Sequence, residues 1–462
     1  MQNLINGNIT AFVSFSLIPA GFVGICRVGT DVYSGDGNSI VKLAKTVLAN
    51  DIGTAGQQGF GVGILSSLPS GFSKLTGTED ITSNNYGNYQ YSDSSIMVWI
   101  PAFYYKYGTG ANGLAINAVS IRAYSAFTDV TAANTAGYAL HRAFYNAGAI
   151  QTGVFVDKYL CSNNAGTASS IKNGLPLSSA LVHNPFSGLA GLTTADNIYA
   201  GALKAAKTRG LKFFCNSRFI FSALALLSLA HGQAATSITA CAWYDATGVT
   251  NYPKGNNNNA LKDTNDTVVT YITDNYPNCG QTGSASNLDK TAHNGQSCGV
   301  VDLNGNLWEV NPGITSDGVS FYLLKLSADI AALTSGASLS TDLWGAAGIA
   351  ANYDLLGATY GGLTASSTQK YFNSTAQVFS ESVSGDTWAA TGAGIPLATG
   401  VSTGGTNAMG NDGLWDYRPN QMCPIAGGAW DSGATAGVWA LTLSDLRASS
   451  YSTVGFRSAL YL

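Results

Sequence analysis

Charge is what this chain has least of. Asp, Glu, Lys and Arg make up 10% of its 462 residues, against about 25% in ordinary soluble domains. The net charge is −4 and no basic block occurs, which argues against a partner held by its phosphates, so no nucleic acid is expected. Cysteine is sparse and odd in number: Cys26, Cys161, Cys215, Cys241, Cys279, Cys298 and Cys423. An odd count without Cys-x-x-Cys argues against a full disulfide framework. Cys279 and Cys298 bracket a Gly/Ser/Asn loop and are able to pair, but buried, unpaired thiols are the expected state. The four histidines, His141, His183, His231 and His293, stand in no metal-ligand spacing. Long hydrophobic runs are lacking too. Residues 9–28 have no Lys or Arg before them and are broken by Pro19, Gly21 and Gly24. They read neither as a signal peptide nor as a membrane span, and no membrane insertion is expected. Residues 219–230 are strongly apolar but short, which suits a buried core helix.

What is abundant is glycine (55 residues), small polar residues, and a 45% apolar fraction. The length allows two or three domains with a sizeable core. Residues 1–90 read as a β-rich N-terminal domain, with β-rich runs at 11–17 and 22–28 and helical apolar spacing at 39–50. The polar stretch 83–95 reads as a linker. A second unit, 91–462, then opens on the strand pattern 96–107. A strand at 153–159 follows, then helices at 196–209 (ended by Gly210) and 218–231 (capped by Asn216-Ser217). The four-Asn run 256–259 reads as solvated loop, and strands are expected near 308–310 and 320–326. Residues 332–412 are Gly/Ala/Ser/Thr-rich and read as an insertion of long loops. Strands at 423–428, 437–443 and 454–460 close the chain. The fold class is α+β.

The last forty residues alternate anchors with unpatterned small polar residues. The anchors are Ala426-Gly427-Gly428-Ala429-Trp430, Ala436-Gly437-Val438-Trp439 and Val454-Gly455-Phe456-Arg457. Such a pattern suits a rigid frame presenting side chains to a partner. Catalysis instead demands particular acids, bases or nucleophiles at fixed places, and no Ser/His/Asp set or carboxylate pair stands out. Glu309 and Arg457 are expected to form a buried ion pair. Asp302, Asn304 and Asn306 offer calcium-like oxygen spacing without the usual bidentate carboxylate. A turn role for Asn304-Gly305 is expected there, and no cofactor.

Asn304-Gly-Asn-Leu-Trp-Glu309, Gly427-Gly-Ala-Trp430 and Gly455-Phe-Arg457, with the strand Phe155-Val-Asp-Lys-Tyr159 and the two central helices, resemble the formylglycine-generating, sulfatase-modifying-factor type of C-type lectin fold over roughly residues 96–462. Oxidases of that family use two C-terminal cysteines. Here only Cys423 lies beyond residue 332, so oxidase activity is not expected. The C-terminal region, about 411–462, is more similar to the variable region of proteins diversified by retroelements, phage receptor-binding proteins among them. That resemblance implies a fixed scaffold of Trp308, Glu309, Gly427, Gly428, Trp430, Trp439, Gly455, Phe456 and Arg457. It implies variable, ligand-contacting positions at Asp416, Tyr417, Arg418, Pro419, Asp431, Ser432, Thr435, Thr442, Ser444, Asp445, Ser449, Tyr451 and Thr453. All are reachable from an Asn codon by changing adenines alone, whereas Trp415, Trp430 and Trp439 are not. It further implies a host-cell receptor (protein or glycan) as partner, a homotrimer carried on a larger particle through residues 1–90, and a place on a virion tail fibre. The alternative is a fixed-specificity lectin-like adhesin on a cell surface.

Overall fold

The computed structural model describes residues 49–246, 252–253, 255–263, 266–333, 349–356, 368–405 and 408–462, together with the backbone of four strands before residue 49. Those four are Thr10–Phe12, Val23–Val28, Asp31–Asp36 and Ile40–Lys45, hydrogen-bonded in that order into one sheet. The helix expected at 39–50 is therefore a strand over Ile40–Lys45, whose backbone pairs with Asp31–Asp36 in a hairpin. Cross-strand hydrogen bonds override a local helical pattern whose first residues, Ile40 and Val41, are β-branched. Residues 13–17 of the expected strand 11–17, and Phe22 of the run 22–28, lie outside the described residues.

Two larger sheets run through the described residues from Phe72 on. The six-stranded sheet runs Phe214–Cys215, Ser458–Leu460, Gly153–Asp157, Ile96–Pro101, Asn88–Tyr91, Phe72–Lys74. Residues 83–95 are thus part of a hairpin inside this sheet and not a linker: Asn88 pairs with Val98 and Gln90 with Ile96. Polar turn residues carry both meanings in a sequence, and only the pairing separates them. Ile96–Pro101 is buried on both faces save for half-buried Ile96, as suits a central strand. Gly153 pairs with Pro101 across the ladder, and a Cβ on it would sit 2.4 Å from the nearby Trp99 indole. The strand pattern read over 96–107 breaks at Ala102, and Phe103–Tyr107 joins a separate three-stranded sheet.

The seven-stranded sheet runs Val401–Ser402, Gln369–Phe372, Gly413–Trp415, Gly437–Thr442, Ile425–Gly427, Trp308–Val310, Val454–Gly455. Three of these strands flank or lie within 332–412, so the region expected to be looped out is partly built into the sheet. Phe372 and Phe379 place their rings 5.8 and 5.1 Å from Trp439, and Trp388 donates from Nε1 to the Leu140 carbonyl at 3.0 Å. A few aromatics suffice to fix a glycine-rich segment, because each buries so much apolar area.

The helix Arg218–Ala234 lies at the centre of the main core, with Arg218 to Gly232 buried. Ser217 caps it, accepting from the Ile220 amide at 3.2 Å. The expected helix at 196–209 is shorter: Gly201–Ala206 is α-helical, continuing as a 3-10 turn over Lys207–Arg209. Gly210 ends it at φ 142°. Among the described residues no helix is long and apolar enough to cross a membrane.

Candidate functional site

The frame of the site is electrostatic as well as apolar. The Arg457 guanidinium donates from Nε and Nη2 to the two oxygens of Glu309, both at 2.6 Å. Its remaining hydrogens go to the carbonyls of Asp157 (3.1 Å), Lys158 (3.2 Å) and Val301 (2.9 Å). Both side chains are buried. Burial pushes the Glu309 carboxyl upward against the pull of Arg457. One fork thereby ties the strand Trp308–Val310 to the end of Gly153–Asp157 and to the final strand. A second buried pair sits alongside. Arg209 reaches Asp157 at 2.6 Å, and Asp157 also accepts the Ser458 amide at 2.8 Å.

Gly427 and Gly428 have φ of 93° and 86°. A Cβ on Gly427 would stand 2.8 Å from the Leu303 carbonyl oxygen, and one on Gly428 would stand 2.5 Å from the Ala436 methyl. Neither position admits a side chain without strain. Trp430 is 6% exposed and Trp439 1%. The Trp439 amide donates at 2.7 Å to Asp412, whose carboxyl burial raises well above the usual range. Gly455 and Phe456 are buried, as is Glu309; Trp308 is only half-buried.

Of the thirteen variable candidates, three face inward. Asp416 is fully buried and paired with Lys370. Pro419 is buried. Thr442 is 7% exposed because Gly437–Thr442 is an interior strand, with Trp415 opposite it on one side and Ile425 on the other. Small polar composition misleads at these positions, since sheet pairing decides the facing. These three leave the set of display positions. The other ten are half-buried (Tyr417, Arg418, Ser432, Thr435, Ser444, Asp445, Ser449, Thr453) or exposed (Asp431, Tyr451).

The loop from 449 to 453 is held by its backbone. Ser179 Oγ accepts from the Tyr451 amide and donates to the Tyr451 carbonyl, both at 3.0 Å. One side chain adds to this, the Ser450 hydroxyl donating to the Ser179 carbonyl at 2.7 Å. The Ser449 carbonyl accepts the Tyr199 amide, and the Thr453 carbonyl accepts the Trp308 amide. These bonds do not depend on the side chains of Tyr451 or Thr453. Ser432 and Thr435 differ. Ser432 Oγ accepts from the Ala429 amide at 3.0 Å, and Thr435 Oγ1 donates to the Ser432 carbonyl at 2.7 Å, so both shape their own turn. Arg418 donates to the Val319 carbonyl at 2.7 Å. Burial pushes the Asp445 carboxyl up to about 6.

Two features escaped the sequence reading. Trp308 and Trp415 are both half-buried and meet edge to face at 6.0 Å, and the Trp308 amide is bonded to the carbonyl of the candidate position Thr453. In addition, a cleft of about 530 Å³ opens beside Gly433–Ala436, with Tyr252, Asn256, Asn304 and Asp412 in its wall. The side-chain carbonyls of Asn256 and Asn304 are buried there without a hydrogen bond from the described residues. The four-Asn run is thus not simply solvated loop: Asn256 is 7% exposed and Asn257 fully buried. Asn256 and Asn258 line the cleft themselves, but amides are common in loops as well, so the run carried no signal of it.

At 302–306 the turn role is plain. Gly305 has φ 104°. Asn306 exchanges two hydrogen bonds with Gly280, at 2.9 and 2.7 Å. Asp302 accepts from the Gly283 amide at 2.5 Å, and burial raises its carboxyl to about 6. Cys279 and Cys298 are buried free thiols, as are Cys161, Cys215 and Cys423, and Cys241 is buried as well. Burial pushes the Cys423 thiol upward, opposite to the activated thiolate that redox chemistry needs.

No family model matches this chain, and no curated protein does. Among solved structures it is similar to variants of the Major Tropism Determinant. The I1 variant aligns at 12% identity and TM-score 0.29, covering 96% of this chain and 84% of that one. The U1 variant aligns at 13% and 0.29 over the same shares. The P3c variant aligns at 12% and 0.27, covering 98% and 99%. The likeness runs the length of the chain but is loose, and it assigns no residue and no role.

Proposed function

We propose that this chain is a receptor-binding protein: a C-type-lectin-type scaffold that displays a diversified side-chain surface, carried as a trimer at the tip of a phage tail fibre. The observation behind the reading is the loop from 449 to 453. Its backbone is strapped to Ser179, Tyr199 and Trp308 while Tyr451 stands 57% exposed. Shape is thereby separated from side-chain identity. Tyr417, Arg418 and Tyr451 supply the aromatic and planar-cation contacts that dominate binding energy. The half-exposed Trp308–Trp415 pair adds a fixed apolar patch, and Ser and Thr add adaptable hydrogen bonds. Single-site binding of this kind is weak, and several copies on one particle make it firm.

The test is the DNA around the gene and the gene in sister isolates. A near-copy of the 3′ coding end, differing at adenines, should lie beside a reverse transcriptase gene. Substitutions should concentrate at the ten accessible positions. Changes falling equally on Trp430, Trp439 and Glu309, with no such copy nearby, would remove the diversification reading.

The cleft beside Asn256 and Asn304 favours a second reading, a fixed-specificity lectin-like adhesin, because those wall residues lie outside the variable set. An Asn304→Ala variant that loses receptor binding, beside variable-position changes that keep it, would decide for that reading.

A further inference from the structure

Three of the four histidines are neutral structural groups with one donating and one accepting nitrogen or a single capping bond. His231 accepts from the Gly56 amide and faces the Ala240 carbonyl. His293 accepts from the Val300 amide and faces the Gly61 carbonyl. His141 accepts from the Ala143 amide. His183 is different. Its Nδ1 faces the Ser452 carbonyl at 3.1 Å, which can only accept, so Nδ1 carries a hydrogen. Its Nε2 faces Asp274 Oδ2 at 2.6 Å. Two electron-pair donors this close must share something positive, either a proton or a metal ion. Cys279 is the third member of the group: its Sγ, the imidazole nitrogen and the carboxylate oxygen lie within 4.8 Å of one another, all from buried residues.

We propose that His183, Asp274 and Cys279 bind one divalent transition-metal ion of the zinc type. The donor set, one imidazole, one carboxylate and one thiolate, belongs to the ligands zinc selects. The charges balance: a divalent cation with a thiolate, a carboxylate and a neutral imidazole is neutral, which a buried site requires. On binding, Cys279 and the shared His183–Asp274 position each release a proton. The outer contacts are those of a ligating histidine, whose other ring N–H is fixed by a backbone carbonyl. Asp274 is oriented too, Oδ1 accepting from the Tyr276 amide at 2.7 Å and Oδ2 from Asn184 at 3.2 Å. The Tyr276 ring stacks on the imidazole at 4.0 Å, and Trp430 closes the side at 5.9 Å. The nearest further oxygens to Sγ are the Gly280 carbonyl at 3.7 Å and Asn306 Oδ1 at 3.9 Å, candidates for the fourth position. Metal–ligand bonds of about 2.0–2.1 Å put tetrahedral N and O ligands roughly 3.3 Å apart, so the ion spreads His183 and Asp274 slightly. Sequence spacing hid the site, because 91 residues separate His183 from Asp274. Its effect is to fasten the loop carrying Tyr451 and Thr453 to residues 274–279 through the Ser452 carbonyl.

The experiment uses the full chain, stripped with a chelator and titrated with cobalt(II). One cobalt per chain with thiolate-to-cobalt charge-transfer absorption is the expected result, and zinc should displace it. Cys279→Ser should abolish that absorption, and His183→Gln should weaken cobalt binding on the order of 100-fold. If Cys279→Ser fails to fold, the wild-type titration together with ring-nitrogen NMR of His183 decides. Loss of the Nε2 proton on adding zinc supports the site. A stripped wild type without charge-transfer absorption, the same absorption in folded Cys279→Ser, or both His183 nitrogens still protonated in saturating zinc overturns it.

Discussion

Residues 437–442 and residues 444–453 flank Leu443 in the chain, yet they behave oppositely. All six residues of Gly437–Thr442 are buried between two neighbouring strands. In 444–453, Leu446, Ala448, Ser450 and Tyr451 are exposed and most of the rest are half-buried, while the backbone is tied down by Ser179, Tyr199 and Trp308. The strand draws its order from side chains packed on both faces. The loop draws its order from main-chain bonds. Substitution is therefore costly in the first and tolerable in the second, even at Thr442, which the sequence placed among the variable positions.

The comparison breaks most severely if its shared anchor goes. Arg457→Met leaves Glu309 buried without its partner and should cost about 3–5 kcal/mol, read as a shift of the urea midpoint. Next comes a matched pair. Thr442→Asp places an unpaired carboxyl inside the sheet and should cost at least about 2 kcal/mol. Ser449→Asp, seven positions on, should stay within about 0.5 kcal/mol. Equal losses in the two would erase the distinction between strand and loop. A smaller effect is expected from Gly428→Ala, above about 1 kcal/mol, because a positive φ and the Ala436 contact both oppose the methyl.

The smallest effect is the Asp445 share of a pH response that the histidines dominate. His141, His231 and His293 are held neutral by burial, down to about 3, 4 and 4. The unfolded chain takes up their protons near the ordinary value of about 6.5, so their contribution to stability is present above that pH and is lost as pH falls toward 4. Asp445 acts with the opposite sign. Its folded value of about 6 lies above the ordinary carboxyl value of about 3.9, so the fold gains relative stability as pH drops between the two. Asp445→Asn should therefore steepen acid destabilisation by about 1 kcal/mol or less between pH 6 and 4, measured by denaturant titration at each pH.

Much of the frame is legible in the sequence. Gly-Gly-x-Trp, Trp-Glu and Gly-Phe-Arg mark residues whose neighbours leave no choice: the two glycines sit at positive φ, and Arg457 meets Glu309. What stays hidden is whatever depends on pairing. The hairpin at 83–95 looks like a linker because turns and linkers use the same residues. The strand Ile40–Lys45 looks helical because its partner strand is not part of the local pattern. Strand Gln369–Phe372 is lost among glycine and serine, yet Phe372 alone gives it a place against Trp439. At the site, Thr442 and Asp416 have accessible codons but inaccessible positions, and His183 finds Asp274 and Cys279 only in three dimensions.

Ser458–Leu460 lies inside the six-stranded sheet, between Phe214–Cys215 and Gly153–Asp157. A ribosome must therefore pass the codon for Leu460 before that sheet can close. Any copy of the gene with a stop or a lost reading frame in 431–453 yields a chain that lacks an interior strand and the Arg457 fork. Such a chain is left to proteolysis. Folding itself would then act as proofreader, letting only versions read through to Leu460 reach the folded state.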